Sequence, residues 1–246
     1  MPDIRVRQFA DRYKQCPLQN CSVEGVFTRN GNMGKSKDKE QQRKLTKAEQ
    51  RRKQKLEQLE QELYAQGYRK RDLTVGLVYA NAMAIVLCVP IIAVLCAAFF
   101  VCNSSGVIDM GIAGFWLWLL VLIVLIAVHE LIHGITWAIF APNHWKTVEF
   151  GFIVAYFTPY CTCGEPLKRY QYVIGALMPT LLLGIVPAIY AIASGSLPWL
   201  LTGCMMVLGG GGDLTIVLRL LRYHSGGTDT VYIDHPYAAG VIAFER

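Results

Sequence analysis

Long apolar runs restrict how this chain can fold more than any other feature. Between residues 73 and 221 they alternate with two short links and one longer loop, and each run approaches or exceeds the roughly 20 residues that a helix needs to cross a bilayer. Inside a bilayer every backbone N–H and C=O must find its partner within the protein, which favours helices for runs of this length. The sequence therefore predicts an all-α membrane bundle of about four transmembrane helices. The predicted spans are residues 73–101, 114–140, 172–193 and 199–221.

The composition agrees with a membrane protein whose charge is concentrated at one end. Hydrophobic residues make up 53% of the 246 residues and the mean hydropathy is +0.33, which is more apolar than an ordinary soluble domain. Residues 1–72 hold 18 Lys+Arg and 10 Asp+Glu, a net charge of +8. We expect residues 1–34 to be an irregular extension and residues 35–72 a basic cytoplasmic helix. Acidic residues interleave with the basic ones in that helix, so no nucleic-acid partner is expected.

The basic residues that flank the spans predict the orientation in the membrane. They fall on one side, as Arg69-Lys70-Arg71, Lys146 with Lys168-Arg169, and Arg219 with Arg222, whereas the two short links hold only Asp109. Basic residues are enriched in cytoplasmic loops. Both termini, including the tail of residues 223–246, are then predicted to be cytoplasmic. The expected location is the cell membrane, with the bacterial inner membrane as the expected compartment and the lipid bilayer as a partner.

The loop between the second and third predicted spans favours β structure. Residues 147–157 are rich in β-branched and aromatic side chains, and Pro159, Gly164 and Pro166 follow as turn residues. We therefore predict a strand or a small β hairpin inserted between the second and third helices. Its edge could pair with an extended peptide, or it could act as a short cap over the helix ends.

The second predicted span contains the motif His129-Glu130-Leu131-Ile132-His133. Residues four apart on a helix share one face, so His129 and His133 can direct ring nitrogens at a single zinc ion. Glu130 is not needed as a ligand and is free to act as the catalytic base toward water. Charged side chains at the centre of a membrane helix cost roughly 2.5–3.5 kcal/mol on insertion scales, which favours a functional role. The alternative is that all three residues only hydrogen-bond neighbouring helices.

A catalytic zinc needs a third protein ligand and an open position for water. Ile139 stands where a metzincin would carry its third histidine, which excludes that class, and Asp213 is the remaining ionisable residue deep within an apolar run. Counting 1.5 Å per residue from the cytoplasmic ends places His133 and Asp213 at similar depths, roughly 10–14 Å. The glycines at 209–212 would let two helices approach closely, although they also suit plain helix packing. Asp213 is thus predicted as a metal ligand, with a supporting role behind a histidine, or a ligand from the tail, as the alternatives.

The motif in one span and an aspartate in a later one resemble the site-2 protease family of intramembrane zinc metalloproteases. The stretch from Tyr68 to Phe244 is also similar to bacterial multi-pass membrane proteins of unknown function that are grouped as zincin peptidases. The segments that carry this likeness are Asp72-Leu73, Ala176-Leu177-Met178-Pro179, Gly212-Asp213, and Asp234-His235-Pro236 with Gly240. The resemblance implies a multi-pass zinc peptidase with His129 and His133 as ligands and Glu130 as the base. The asparagine that site-2 proteases carry near their aspartate has no counterpart here, and Asn81 is a candidate substitute.

The residues and the resemblance together predict a zinc-dependent intramembrane or membrane-embedded endopeptidase that acts on a membrane or membrane-proximal peptide. Water must reach such a site, and the helix-distorting Pro179 and Pro187 are candidates for making room. A zinc-binding membrane scaffold or sensor without peptidase activity is the main alternative, followed by a transporter. Neither the substrate nor the oligomeric state can be read from the sequence.

Overall fold

The computed structural model describes residues 45–104, 110–153 and 158–246, without the side chains of residues 77 and 153. The predicted extension at 1–34 and the start of the predicted basic helix lie outside these residues. Helix α1, Lys47–Ala65, begins at a capping box in which the Thr46 hydroxyl accepts from the Glu49 N–H and the Glu49 carboxylate accepts from the Thr46 N–H. Gly67 follows the helix with a φ of +89°, a left-handed conformation that favours glycine. Strand β1, Arg69–Asp72, comes next.

Three helical segments among the described residues are long and apolar enough to cross a membrane. The first two are α2, Leu77–Cys102, and α3, Ile112–Phe140. The third, Arg169–Ser194, consists of α4 (Arg169–Pro179), a π-helical stretch (Thr180–Ile185) and α5 (Val186–Ser194). Helices α6 (Leu197–Gly209) and α7 (Gly211–Arg222) meet at a 48° bend and make a fourth span if they are counted together.

The bend at Gly210 differs from the single span predicted for residues 199–221. A Cβ at Gly210 would lie 2.0 Å from the Thr180 Oγ1, and one at Gly211 would lie 2.5 Å from the Ala84 Cβ. Positions 209 and 212 have open space instead. Two of the four glycines are thus needed for close helix approach. A run of glycines also has poor helix propensity, which accounts for the break at this point.

The two prolines of the third span flank its π-helical stretch. Pro179 ends α4 and Pro187 lies in the first turn of α5. Because proline has no N–H and its ring crowds the carbonyl four residues earlier, the regular hydrogen-bond ladder cannot continue through either position. The N–H of Val186 donates to the Leu181 carbonyl five residues back, which widens the turn between them.

A two-stranded antiparallel sheet lies in the chain between the second and third of these segments. Strand β2, Val148–Ile153, pairs with β3, Thr158–Cys163, in a register that places Phe150 opposite Cys161. A Cβ at Gly134 would lie 2.5 Å from the Phe150 Cζ, so β2 packs directly against α3. The residue that permits this contact follows His133 in the chain, which places the sheet beside the motif.

A second sheet was not predicted from the sequence. It joins β1, β4 (Leu167–Lys168), β5 (Thr230–Asp234) and β6 (Val241–Glu245) in the order β1-β6-β5-β4, with every pair antiparallel. Residues 69–72, assigned to the basic helix, and residues 230–234 and 241–245 of the predicted tail are therefore strands. The three longer strands come from opposite ends of the chain, and such pairing has no local sequence signal.

Alternate residues of this sheet face two different layers, as expected for strands. One face packs on the ends of the candidate membrane helices, through Tyr232, Val241 and Ala243 against Trp137, Tyr172 and Leu220. The other face packs on α1, through Ile233, Ile242 and Phe244 against Leu56 and Leu63. Because both faces are covered, every residue of β6 is buried. The apolar run Val241–Phe244 therefore lies between α1 on one side and the helix ends on the other.

Candidate metal centre

Helices α3 and α7 bring His129, His133 and Asp213 together. The Nε2 atoms of His129 and His133 each lie 3.3 Å from the Asp213 Oδ2. One possible ligand atom from each of the three residues lies within 4.8 Å of the other two. The two histidines share one face of α3, with ring centroids 4.9 Å apart, and both are buried, at 6% and 3% exposure. The structure therefore places in one cluster the three residues that the sequence singled out for a metal.

Two contacts outside this cluster orient the His133 ring. Its Nδ1 lies 2.8 Å from the Gly175 carbonyl oxygen, which can only accept, so Nδ1 carries the proton and donates. The neutral ring then presents the Nε2 lone pair to the cluster. The Trp137 ring stacks on His133 at a centroid distance of 5.1 Å, and its Nε1–H donates to the Tyr172 carbonyl at 3.3 Å. Partners of this kind fix both tautomer and orientation in metal-binding histidines.

Gly175 and Trp137 are functional neighbours that the sequence analysis missed. A Cβ at Gly175 would lie 2.0 Å from the Trp137 Nε1, so α4 reaches its position against α3 only because residue 175 has no side chain. Trp137 follows His133 by four residues, so its place on the same helix face could have been recognised. The Gly175 contact is made by a backbone carbonyl, so the identity of the residue does not predict it. Asn81, the suggested substitute donor, is exposed on α2.

The cluster suits a divalent cation. With the proton on Nδ1, the Nε2 of neutral His133 is an acceptor, and Asp213 Oδ2 is also an acceptor. Two acceptors 3.3 Å apart repel each other unless a positive charge lies between them, either a proton or a metal ion. Two imidazoles and one carboxylate are also a ligand set of catalytic zinc sites, which leave a position for water. The donor set thus fits zinc.

Glu130 lies beside the cluster and contributes no atom to it. Its side chain is half-buried, and the backbone N–H of Cys161 in β3 donates a hydrogen bond to its carboxylate. The carboxylate also interacts electrostatically with both histidines and with Asp213. A carboxylate in this place can exchange a proton with a molecule held at the cluster. It also links β3 to the motif.

Asp234 connects β5 to strand β3, which also contacts Glu130. Its carboxylate accepts from the Cys163 N–H at 2.7 Å and from the Tyr172 hydroxyl at 2.5 Å. Burial raises the pKa of Asp234 to about 6, although these two hydrogen bonds oppose the shift. The residues after it form a turn in which the His235 Nδ1 accepts from the Ala238 N–H at 3.0 Å. No residue of the predicted tail joins the three clustered residues in the part of the chain described here.

Helix α1 connects this turn to the β2–β3 hairpin. The Arg52 guanidinium donates to the Pro236 carbonyl and to the Tyr160 hydroxyl, both at 3.0 Å, and lies 3.7 Å from the Glu149 carboxylate. Lys55 binds the same carboxylate at 2.9 Å. A cavity of about 290 Å³ opens between α1, the hairpin and the turn. The hairpin beside the motif is thus fastened to two other elements.

A sequence model of the family described as "Putative zincin peptidase" matches residues 122–227. The match includes the motif on α3 and Asp213 on α7, and it covers less than half of the 246 residues. Over that stretch the chain is similar to this family. Comparison with curated proteins found no match, and neither did comparison with solved structures.

Proposed function

We propose that the protein belongs to the zincin peptidase family and is a zinc-dependent intramembrane or membrane-embedded endopeptidase. The observation that carries the proposal is the approach of two histidine Nε2 atoms to one Asp213 oxygen, between helices apolar enough to cross a membrane. The family match supports it, because the matched residues contain the three clustered side chains and Glu130. The sequence motif and the cluster thus support the same chemistry.

In the proposed reaction, His129, His133 and Asp213 hold the metal and Glu130 handles the proton. Zinc held there would supply a Lewis acid that lowers the pKa of water toward about 7. Glu130 would take a proton from the water as its oxygen bonds to the peptide carbonyl carbon, and would deliver that proton to the amine nitrogen as the C–N bond breaks. The Gly175 carbonyl and the Trp137 ring keep His133 in the required tautomer and orientation. The N–H of Cys161 holds the Glu130 carboxylate next to the cluster.

The substrate in this proposal is a membrane or membrane-proximal peptide in extended form. A helical peptide hides its scissile bond, whereas an extended one can add to a sheet edge. Strand β3 runs next to Glu130, so a peptide that replaces the Glu130 and Asp234 carboxylates at the Cys161 and Cys163 N–H groups would pass the cluster. We place the protein in the cell membrane of a bacterium, with both termini cytoplasmic. The basic residues beside the spans support that orientation.

The test compares wild type with Glu130→Gln, Asp213→Ala and the control Glu165→Gln, which alters a half-buried carboxylate bonded to Asn143. Each protein is purified in detergent for zinc analysis and placed in proteoliposomes with a panel of single-span peptides, whose cleavage is followed by mass spectrometry. Glu130→Gln should keep its zinc and lose turnover by a factor of roughly 10² to 10⁴, the usual contribution of general acid–base catalysis. Asp213→Ala should lose zinc, and Glu165→Gln should keep both.

Two results would contradict the proposal. Cleavage by Glu130→Gln at the wild-type rate would remove Glu130 from the reaction. Wild-type protein that holds zinc but cleaves no peptide in the panel would favour a zinc-binding scaffold or sensor.

A further inference from the structure

A cleft of about 210 Å³ lies between the start of α2 and the end of α7, away from the metal cluster. Its lining includes Leu73, Tyr79, Leu218, Arg219 and Arg222. Both helices belong to the candidate spans, and these residues lie at their ends. The cleft therefore opens where the apolar part of the bundle meets its polar end.

The two arginines of this cleft have no anionic partner among the residues that the structure describes. Arg219 and Arg222 are both exposed and lie three residues apart on α7, so they share one face of its last turn. No ion pair or side-chain hydrogen bond involves either guanidinium in the described ranges. By contrast, Arg71 binds Glu245 at 3.0 Å, and Arg169 donates to the Tyr223 carbonyl and the Tyr232 hydroxyl. Two adjacent unpaired guanidiniums favour an anion between them.

Exposed apolar side chains adjoin lining residues of the cleft in the chain. Val78 is 71% exposed and Leu221 is 55% exposed, and each stands next to a lining residue in the chain. Glu245, whose carboxylate accepts from the hydroxyl of the lining residue Tyr223, is also paired with Arg71. A ligand with an anionic head and an apolar body therefore fits both the charge and the surface of this region.

We propose that this cleft binds the headgroup of an anionic phospholipid. The phosphodiester lies between the Arg219 and Arg222 guanidiniums, and the acyl chains lie along the exposed apolar side chains of α2 and α7. Basic pockets between membrane helices bind anionic headgroups in this way. A soluble phosphate would offer the same anionic group to the arginines, but it would make no contact with the exposed apolar side chains of α2 and α7. The proposal requires that the helices span a membrane and does not depend on peptidase activity.

The test measures which lipid stays bound. Wild-type protein is reconstituted in nanodiscs of equal phosphatidylglycerol and phosphatidylcholine, released, and examined by native mass spectrometry for retained lipid. The variant Arg219→Gln/Arg222→Gln should lower the preference for phosphatidylglycerol roughly 30-fold, from about 1 kcal/mol for each cation near an anionic surface. The control Lys146→Gln/Lys168→Gln removes two exposed charges at the ends of other spans and should keep the preference.

A second variant tests the cleft without changing charge. Leu218→Trp fills it with a larger side chain and should also lower the phosphatidylglycerol preference, with melting temperature as the check on folding. Equal retention of both lipids by wild type, or equal loss in the two double variants, would overturn a specific site. Millimolar inorganic phosphate that binds lipid-free protein and displaces phosphatidylglycerol would overturn the lipid assignment in favour of a soluble phosphate.

Discussion

Gly175→Ala should weaken metal binding although residue 175 has no side chain that could touch a metal. Its new Cβ would lie 2.0 Å from the Trp137 Nε1 and 2.2 Å from the Trp137 Cδ1, whereas carbon atoms in contact are about 3.5–4.0 Å apart. Either α4 moves away from α3 or the Trp137 ring moves. In the first case His133 loses its 2.8 Å bond to the Gly175 carbonyl, and in the second it loses its stacking partner.

The expected size of the effect follows from these two contacts. Overpacking of this kind costs about 1–3 kcal/mol of folding free energy, of which the better helix propensity of alanine returns up to about 1 kcal/mol. Loss of the partner that orients a metal-binding histidine lowers metal affinity roughly 10- to 100-fold. We therefore expect a modest fall in melting temperature together with a large fall in zinc affinity.

Zinc affinity is measured by competition with a chromophoric chelator in detergent, with thermal unfolding recorded on the same samples. Gly212→Ala is the matched control, because residue 212 adjoins Asp213 in the chain and a Cβ there meets nothing within 4 Å. That variant should bind zinc like wild type. Wild-type affinity in Gly175→Ala would refute the role given to the Gly175 carbonyl and the Trp137 ring.

Two further predictions concern the elements around the cluster. Arg52→Met should speed amide hydrogen exchange of β3 about tenfold or more. The Arg52 side chain is only 10% exposed, and the substitution removes its charged hydrogen bonds, which are worth about 1.5–3 kcal/mol. The control Arg51→Met alters an exposed arginine and should leave the exchange rate of β3 unchanged. Unchanged exchange in Arg52→Met would show that α1 does not hold the hairpin. Burial raises the pKa of Asp234 from 3.8 to about 6. Between pH 3.8 and about 6 the folded protein therefore binds more protons than the unfolded chain, so the stability of the fold should decrease as the pH rises through this range. Asp234→Asn should lack this slope in metal-free buffer, and parallel melting curves for the two proteins between pH 4 and pH 6 would contradict the assignment.

The three clustered residues could be predicted because each can be recognised from its own segment of the sequence. Helix periodicity alone places His129 and His133 on one face. Asp213 was identified as the remaining ionisable residue deep within an apolar run, and counting residues along the spans gave it a depth similar to that of His133. The carbonyl of Gly175 had no such signal, since every residue has a carbonyl and only the approach of α4 to α3 selects this one.

The four-stranded sheet was missed for a related reason. Pairing of β1 with β6 joins residues 69–72 to residues 242–245, and nothing local in either segment indicates the other. The run Val241–Phe244 was too short to suggest a span, and its burial depends on α1 above and the helix ends below. The bend at Gly210 likewise depends on which side chains its glycines meet.

The sequence by itself determined the apolar helices and the residue types that can bind a metal. These properties depend on the solvation and periodicity of single segments, and the side chains within each segment set both. Only the tertiary structure decided that Gly175 orients His133, that β3 lies against Glu130, and that Arg219 and Arg222 have no anionic partner among the residues described. Those outcomes depend on distances between segments far apart in the chain, and packing of the whole protein sets such distances.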